Sequence, residues 1–283
     1  MMKKIIDYII KISKDLQKHD VTALSASIAF FFFVSMFPAF MFLCSFMPYL
    51  NFNEADIIRI LTDLAPVGLA EGIERMIDNL YVSSSHMLPI AALATLWSAA
   101  VGVLGLIRGL NRVFDLDDKR NYFLVRILAA FYTLVLLVLF ILSMLLVVFG
   151  KGIGRKIVSL APELSGIVSL FMYLRFLFIF VLFVVVLLFV YSYLPAKKRK
   201  LKMQLPGAVV SSLAWYLITW GFSVYIEEFN GFSIYGNLTT VVVALMWFYF
   251  CFYIVLIGAF INKYFEANRL KSIDNNDSLI ENK

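Results

Sequence analysis

The sequence predicts an all-α integral membrane protein with six transmembrane helices and an external amphipathic helical loop between the first two. Three observations carry that prediction. The chain is 62% hydrophobic and only 16% charged, against roughly 45 to 50% apolar and about 25% charged in ordinary globular domains. The run Phe171–Leu194 holds 24 residues with one charge, Arg175; as a helix it would extend about 36 Å, enough for a hydrocarbon core of about 30 Å. Finally, the lysines and arginines are unevenly placed. With six spans, 19 of the 25 fall in segments on one side, five in loops on the other, and Arg175 within a span. Cationic loops stay in the cytoplasm, so both termini are expected there.

The elements follow in order. Residues 1–20 carry Ile5, Ile9, Ile12 and Leu16 at helical spacing with lysines between them, the pattern of an interfacial helix on the inner leaflet. The membrane domain is expected over 21–262, with spans at about 21–50, 87–107, 127–149, 171–194, 206–226 and 238–262. The first run, Val21–Asn53, has 33 uncharged residues interrupted by Pro38. Proline frees a carbonyl and kinks a helix; Ser35 is the side chain expected to satisfy the freed Val34 carbonyl. Residues 54–86 repeat apolar side chains every three and four positions and read as two short amphipathic helices outside the membrane. The second span carries the small-residue stripe Ala94, Ser98, Gly102, Gly105 and Gly109, which permits close helix packing. After the fourth span, Pro195 and the cluster Lys197, Lys198, Arg199, Lys200 and Lys202 form a stop, because each cation costs about 2.5 to 3.5 kcal/mol at the bilayer centre. Residues 263–283 are polar and low in aromatics, the composition of a cytoplasmic tail.

Several chemistries find no support. His19 and His86 fall on opposite sides of the membrane in this topology, and the two cysteines lie in separate apolar runs. No catalytic residue, metal site or cofactor is expected. A cation/proton antiporter needs a carboxylate within the membrane, whereas the six expected spans contain no Asp or Glu. The basic residues sit at the ends of apolar runs, where anionic headgroups rather than nucleic acid would meet them.

A polar path, where one exists, is expected to use Pro38 with Ser35 in the first span, and Arg108, Asn111 and Arg112 at the inner end of the second. Arg175 in the fourth span and Tyr235, Gly236 and Asn237 entering the sixth complete it. Proline exposes backbone, arginine supplies charge-assisted donors for phosphate or carboxylate, and glycine relaxes the backbone. The competing account assigns the kink to folding, the arginines to lipid anchoring and Arg175 to snorkelling.

Four stretches also resemble the YihY/BrkB family of polytopic membrane proteins, some of which once carried the name ribonuclease BN. They are ALSASIAFFFFVSMFP, LWSAAVGVLGLIRGLNRVFD, YLPAKKRKLKMQLPGAVVSSLAW and YGNLTTVVVALMWFYFCFYIVLIGAFIN. The resemblance implies six helices in the bacterial cytoplasmic membrane, with proposed links to envelope lipid transport. Many members carry an acidic residue where this chain has Phe260, after Gly258 and Ala259; that departure weakens a proton-coupling role at the position. The expectation is therefore a transporter or translocation factor for an amphipathic anionic envelope molecule such as a lipid, and not an enzyme. An antiporter or a non-transporting scaffold is the alternative. Expected partners are membrane lipids and that substrate; a homo-oligomer is admitted, nucleic acid is not.

Overall fold

The computed structural model describes residues 14–44, 88–144, 163, 165–228 and 237–281, and these contain helices and no strand. Six long helices follow one another: α1 (Val21–Cys44), α2 (Leu88–Val113), α3 (Tyr122–Met144), α4 (Ser165–Tyr193), α5 (Leu201–Glu228) and α6 (Asn237–Glu281). Among the described residues five stretches are long and apolar enough to cross a membrane: Val21–Ala39, Leu93–Val113, Tyr122–Leu139, Leu201–Tyr225 and Val241–Arg269. A shorter apolar segment, Leu177–Tyr193, lies in α4. Side chains such as Phe30, Leu93, Ile127, Phe131, Leu217 and Trp220 are each more than half exposed. Lipid, rather than water, is the solvent that accommodates so many large apolar groups on the helix surfaces. The expected amphipathic helices at 54–86 lie outside the described residues.

The helices divide between two compact units, Met1–Gly109 with Arg120–Ala130 and Tyr216–Tyr253, and Leu110–Lys119 with Phe131–Trp215 and Ile254–Lys283. In the first, a helical turn at 14–18 ends at His19 and Asp20. Asp20 takes a positive φ of 51°, a left-handed cap that Asp tolerates better than most residues. The Asp20 carbonyl then accepts from Leu24 N–H at 2.9 Å and starts α1. α1 runs unbroken through Pro38. Ser35 does not serve the Val34 carbonyl, as the sequence led us to expect; its hydroxyl donates to the Phe32 carbonyl at 2.7 Å. A serine Oγ reaches back three or four residues along a helix, which excludes its immediate neighbour. Gly102 of α2 fits against this turn: a β-carbon there would stand 2.6 Å from Ser35 Oγ and 2.9 Å from Phe32 Cα. The ring of Phe32 then packs edge-on against Phe252 of α6, with centroids 5.0 Å apart.

In the second unit the end of α2 closes in a Schellman motif. Leu116 N–H donates to the Asn111 carbonyl and Asp115 N–H to that of Arg112, with Asp115 at φ 51°. This is the 6→1 and 5→2 pair that satisfies orphan carbonyls at a helix end. The helix bounds differ from the sequence expectation at this level of detail. α2 continues past 107 to Val113, α3 starts at Tyr122 rather than 127, and α5 starts at Leu201 rather than at Pro206. α6 continues beyond 262 to Glu281. Arg126 thus enters one candidate span and Glu266 another, whereas Arg175, in the fourth span, had been expected as the only ionisable group in any span.

Candidate functional site

The densest polar construction in the second unit lies where α4 ends, α5 begins and α6 passes them. Tyr191 is fully buried, and its hydroxyl donates to the Val255 carbonyl at 2.8 Å. Ser211 Oγ lies 2.9 Å from that hydroxyl and 3.2 Å from the Ile254 carbonyl. Such contact is possible only because α5 and α6 meet through glycines. A β-carbon on Gly258 would collide with Ser211 Oγ and stand 2.5 Å from the Tyr191 hydroxyl; one on Gly207 would collide with the Gly258 carbonyl. One turn further along α6, Asn262 Oδ1 accepts from Gly207 N–H at 2.7 Å.

This seam keeps hydrogen-bonding capacity in reserve. Gln204, one turn before Gly207 on the same face of α5, is fully buried, and neither its amide nitrogen nor its oxygen has a partner. Asn262 Nδ2 and Ser192 Oγ are likewise buried and unpartnered. Each such atom costs about 1 to 3 kcal/mol, and native structures retain few of them. Elsewhere among the described residues only Ser25 Oγ and Arg126 Nε share this condition. A recess of about 600 Å³ in the first unit, bordered by Gln17, Asp20, Thr22 and Tyr253, has no such atom in its lining.

Charged groups surround the same helix ends. Arg199 donates to Glu266 from Nε at 3.1 Å and from Nη2 at 2.5 Å, while its guanidinium lies 4.0 Å from the Phe114 ring centroid. Lys263 pairs with Asp115. Asn111 ties the loop after α2 to the loop after α4, donating from Nδ2 to Asp118 at 3.0 Å and accepting at Oδ1 from Ala196 N–H at 2.7 Å.

The expected path residues take different places. Asn111 is buried in the clasp just described, whereas Arg108 and Arg112 are exposed. Ser35 is buried against Gly102, and Pro38 is half-buried within α1. Arg175 and Asn237 lie in α4 and α6, with side chains outside the described residues, and Tyr235 and Gly236 fall outside them altogether. Sequence reasoning missed Gln204, Tyr191, Ser211 and Asn262. Their signal was spacing: Gln204, Gly207 and Ser211 share one helical face, as do Val255, Gly258 and Asn262.

Comparison with known proteins bears on this arrangement directly, since the profile of the family described as virulence factor BrkB matches residues 12–278. The chain belongs to the BrkB virulence factor family. The BrkB match includes every residue of the seam. Among similar proteins, the ribonuclease-like protein YfkH of Bacillus subtilis (strain 168) is 30% identical over 250 residues, covering 86% of this chain and 90% of YfkH. A UPF0761 membrane protein of Vibrio cholerae serotype O1 is 25% identical over 224 residues, 77% of this chain and 71% of its own. Another, from Stenotrophomonas maltophilia (strain K279a), is 27% identical over 127 residues, 44% of this chain and 27% of its own. No solved structure matches. The chain is accordingly a multi-pass membrane protein of the BrkB and UPF0761 kind. The ribonuclease-like name belongs to YfkH; among the described residues of this chain no group of three or more His, Cys, Asp or Glu side chains could hold a metal ion.

Proposed function

We propose that this chain is a translocation factor for an amphipathic anionic envelope molecule, a lipid, in the bacterial cytoplasmic membrane, with both termini in the cytoplasm. The observation that carries the proposal is the seam with uncharged donors and acceptors at Gln204 and Asn262, buried and unpartnered within apolar helices, with Ser192 in the same condition next to Tyr191 in α4. A polar headgroup passing along such a seam replaces its hydration with hydrogen bonds while its acyl chains stay in lipid. Arg112, Lys197, Lys198 and Lys200 of the second unit are exposed at the ends of α2, α4 and α5, and Arg108 is exposed one turn earlier on α2; such cations favour an anionic headgroup over a zwitterionic one. A cation antiporter is a weaker reading, because Glu266, the carboxylate within an apolar stretch, is committed to Arg199. The name carried by YfkH is no reason to assign nuclease chemistry here.

Reconstitution tests the proposal. Purified protein in phosphatidylglycerol-containing vesicles is expected to speed the transbilayer redistribution of fluorescent phosphatidylglycerol over protein-free vesicles. Gln204→Leu, which keeps the volume and removes both polar atoms, is expected to slow it about tenfold, the loss of about 1.4 kcal/mol of stabilisation. Wild-type protein that redistributes no lipid of any headgroup class under these conditions would refute translocation.

A further inference from the structure

In the first unit, Arg126 is a buried cation with no anion beside it among the described residues. α3 starts one residue after Asn121, whose side-chain oxygen accepts from Phe123 N–H at 3.2 Å, so Arg126 sits one turn inside the apolar stretch Tyr122–Leu139. The residue is 8% exposed. One terminal nitrogen, Nη2, donates to the Trp97 carbonyl of α2 at 2.8 Å, and the guanidinium carbon lies 5.1 Å from the Trp97 ring centroid. Nε is buried and has no partner. No carboxylate pairs with Arg126 among the described residues.

A guanidinium offers five N–H donors in a planar fork, and here a single neutral carbonyl and an aromatic face are its recorded partners. Ionisable groups within membranes normally pair with an opposite charge or with several backbone carbonyls. Burying a cation this far is costly unless a counter-charge accompanies it. The surroundings indicate where the counter-charge comes from: Trp97 is 40% exposed, and Phe123 and Ile127 are 64% and 61% exposed. The fork is therefore flanked by residues that face lipid.

We propose that Arg126 over Trp97 is a binding site for one phosphate group, which the fork would engage through paired N–H···O contacts. The group reaches it as part of a lipid headgroup or as the free anion. The site stands on the first unit alone and does not require translocation.

Binding to the purified full chain in detergent separates the sources. Phosphatidylglycerol, inorganic phosphate and uncharged diacylglycerol are titrated against wild type, Arg126→Gln, Arg126→Lys and Trp97→Phe, following thermal unfolding and Trp fluorescence. Wild type is expected to be stabilised by phosphatidylglycerol, with an apparent Kd at least about tenfold weaker in Arg126→Gln. Stabilisation by phosphatidylglycerol alone assigns the headgroup; equal stabilisation by inorganic phosphate assigns the free anion. Arg126→Lys keeps the charge without the fork, so it keeps the fold should the glutamine variant not purify, and several-fold weaker binding is expected. Trp97→Phe retains the backbone carbonyl and is expected to bind more weakly by a smaller factor. An unchanged Kd in Arg126→Lys and Arg126→Gln, equal stabilisation by diacylglycerol, or no stabilisation by either anion would overturn the site.

Discussion

Gly207 and Asn262 are joined backbone to side chain: the amide of the glycine donates to Oδ1 of the asparagine at 2.7 Å, while the asparagine's Nδ2 remains buried and unpartnered. Half of the Asn262 amide thus holds α5 to α6, and half is held ready. The contact exists because neither helix carries a side chain at the crossing, a β-carbon on Gly207 standing 2.6 Å from Asn262 Cγ. Tight crossing and polar reserve are consequences of the same pair of glycines.

Alanine at the two kinds of glycine should therefore have opposite effects. Gly258→Ala drives a methyl group into Ser211 Oγ and the Gly207 carbonyl, and the helices must part; a loss of about 1 to 3 kcal/mol is expected. Gly105→Ala meets only Ile28 at an ordinary 3.8 Å and is expected to be neutral or to stabilise by about 0.5 to 1 kcal/mol through helix propensity. Thermal unfolding in detergent measures both, and equal destabilisation would contradict the packing described for α5 and α6.

A second prediction concerns Asn111. Its amide is the one group that both accepts from Ala196 and donates to Asp118. Asn111→Ala abandons the part-buried Ala196 N–H and is expected to cost about 1 kcal/mol. Asn111→Asp keeps the acceptor but sets a carboxylate against Asp118, and should be destabilising above the carboxylate pKa range and partly recovered as pH falls into it. A thermal-shift series against pH distinguishes the variants, since the alanine protein should show no such recovery.

These residues also show how far the chain is legible before it is folded. Apolar runs locate the helices because a bilayer requires unbroken hydrophobic length. Helix ends are less legible, since cations served as stop signals although an arginine can extend its stem along a helix and remain part of it. Arg126 stands one residue before the span expected at about 127–149, yet Asn121 caps α3 ahead of it and takes it into the helix. Gln204 was lost similarly, because Pro206 was read as the start of a span, whereas proline fits within the first turns of α5. The spacing of Gln204, Gly207 and Ser211 was visible; what makes it a site is the placement of Gly258 and Asn262 opposite, a tertiary fact that no local pattern contains. Asn111 was singled out for its place beside two arginines, and its role as a clasp depends on Ala196, a residue remote in sequence.

Two ion pairs in the second unit, Arg199 with Glu266 and Lys263 with Asp115, should respond differently to salt. Arg199 and Glu266 have side chains 14% and 25% exposed, with two N–H donors on one carboxylate oxygen. Asp115, the partner of Lys263, is 60% exposed. Screening acts chiefly on the exposed pair. A double-mutant cycle of Arg199→Ala with Glu266→Ala is expected to retain a coupling of about 1 kcal/mol in 0.5 M salt, while the cycle of Lys263→Ala with Asp115→Ala should fall to zero. The reverse order would mean that the burial assigned to Arg199 is wrong.

Orientation is open to chemical labelling. The excess of Lys and Arg in segments on one side of the six expected spans predicts that a cysteine at Ser83 reacts with an impermeant maleimide on intact cells and that one at Ser272 does not. Each is placed singly in a chain whose Cys44 and Cys251 have been replaced. Labelling of Ser272→Cys with protection of Ser83→Cys would invert the topology and transfer the cationic helix ends to the outside.

The final prediction uses exposure to separate folding from function. Arg108 and Arg112 lie one turn apart on α2, both are exposed, and among the described residues neither side chain takes part in a hydrogen bond or ion pair. Surface substitutions of that kind change stability by no more than about 0.5 kcal/mol, so the double variant Arg108→Gln, Arg112→Gln should unfold at the wild-type temperature. Its effect on an anionic substrate is another matter, since each cation near the membrane surface contributes about 1 kcal/mol of attraction to anionic lipid. Losing two such charges is expected to lower the initial rate of phosphatidylglycerol redistribution about tenfold or more at low salt. The difference should narrow as ionic strength shortens the Debye length to about 8 Å. Redistribution of zwitterionic lipid, measured in the same vesicles, should change little. A double variant that folds normally and moves phosphatidylglycerol at the wild-type rate at every salt concentration would show that these arginines anchor the helix and take no part in recruiting the substrate.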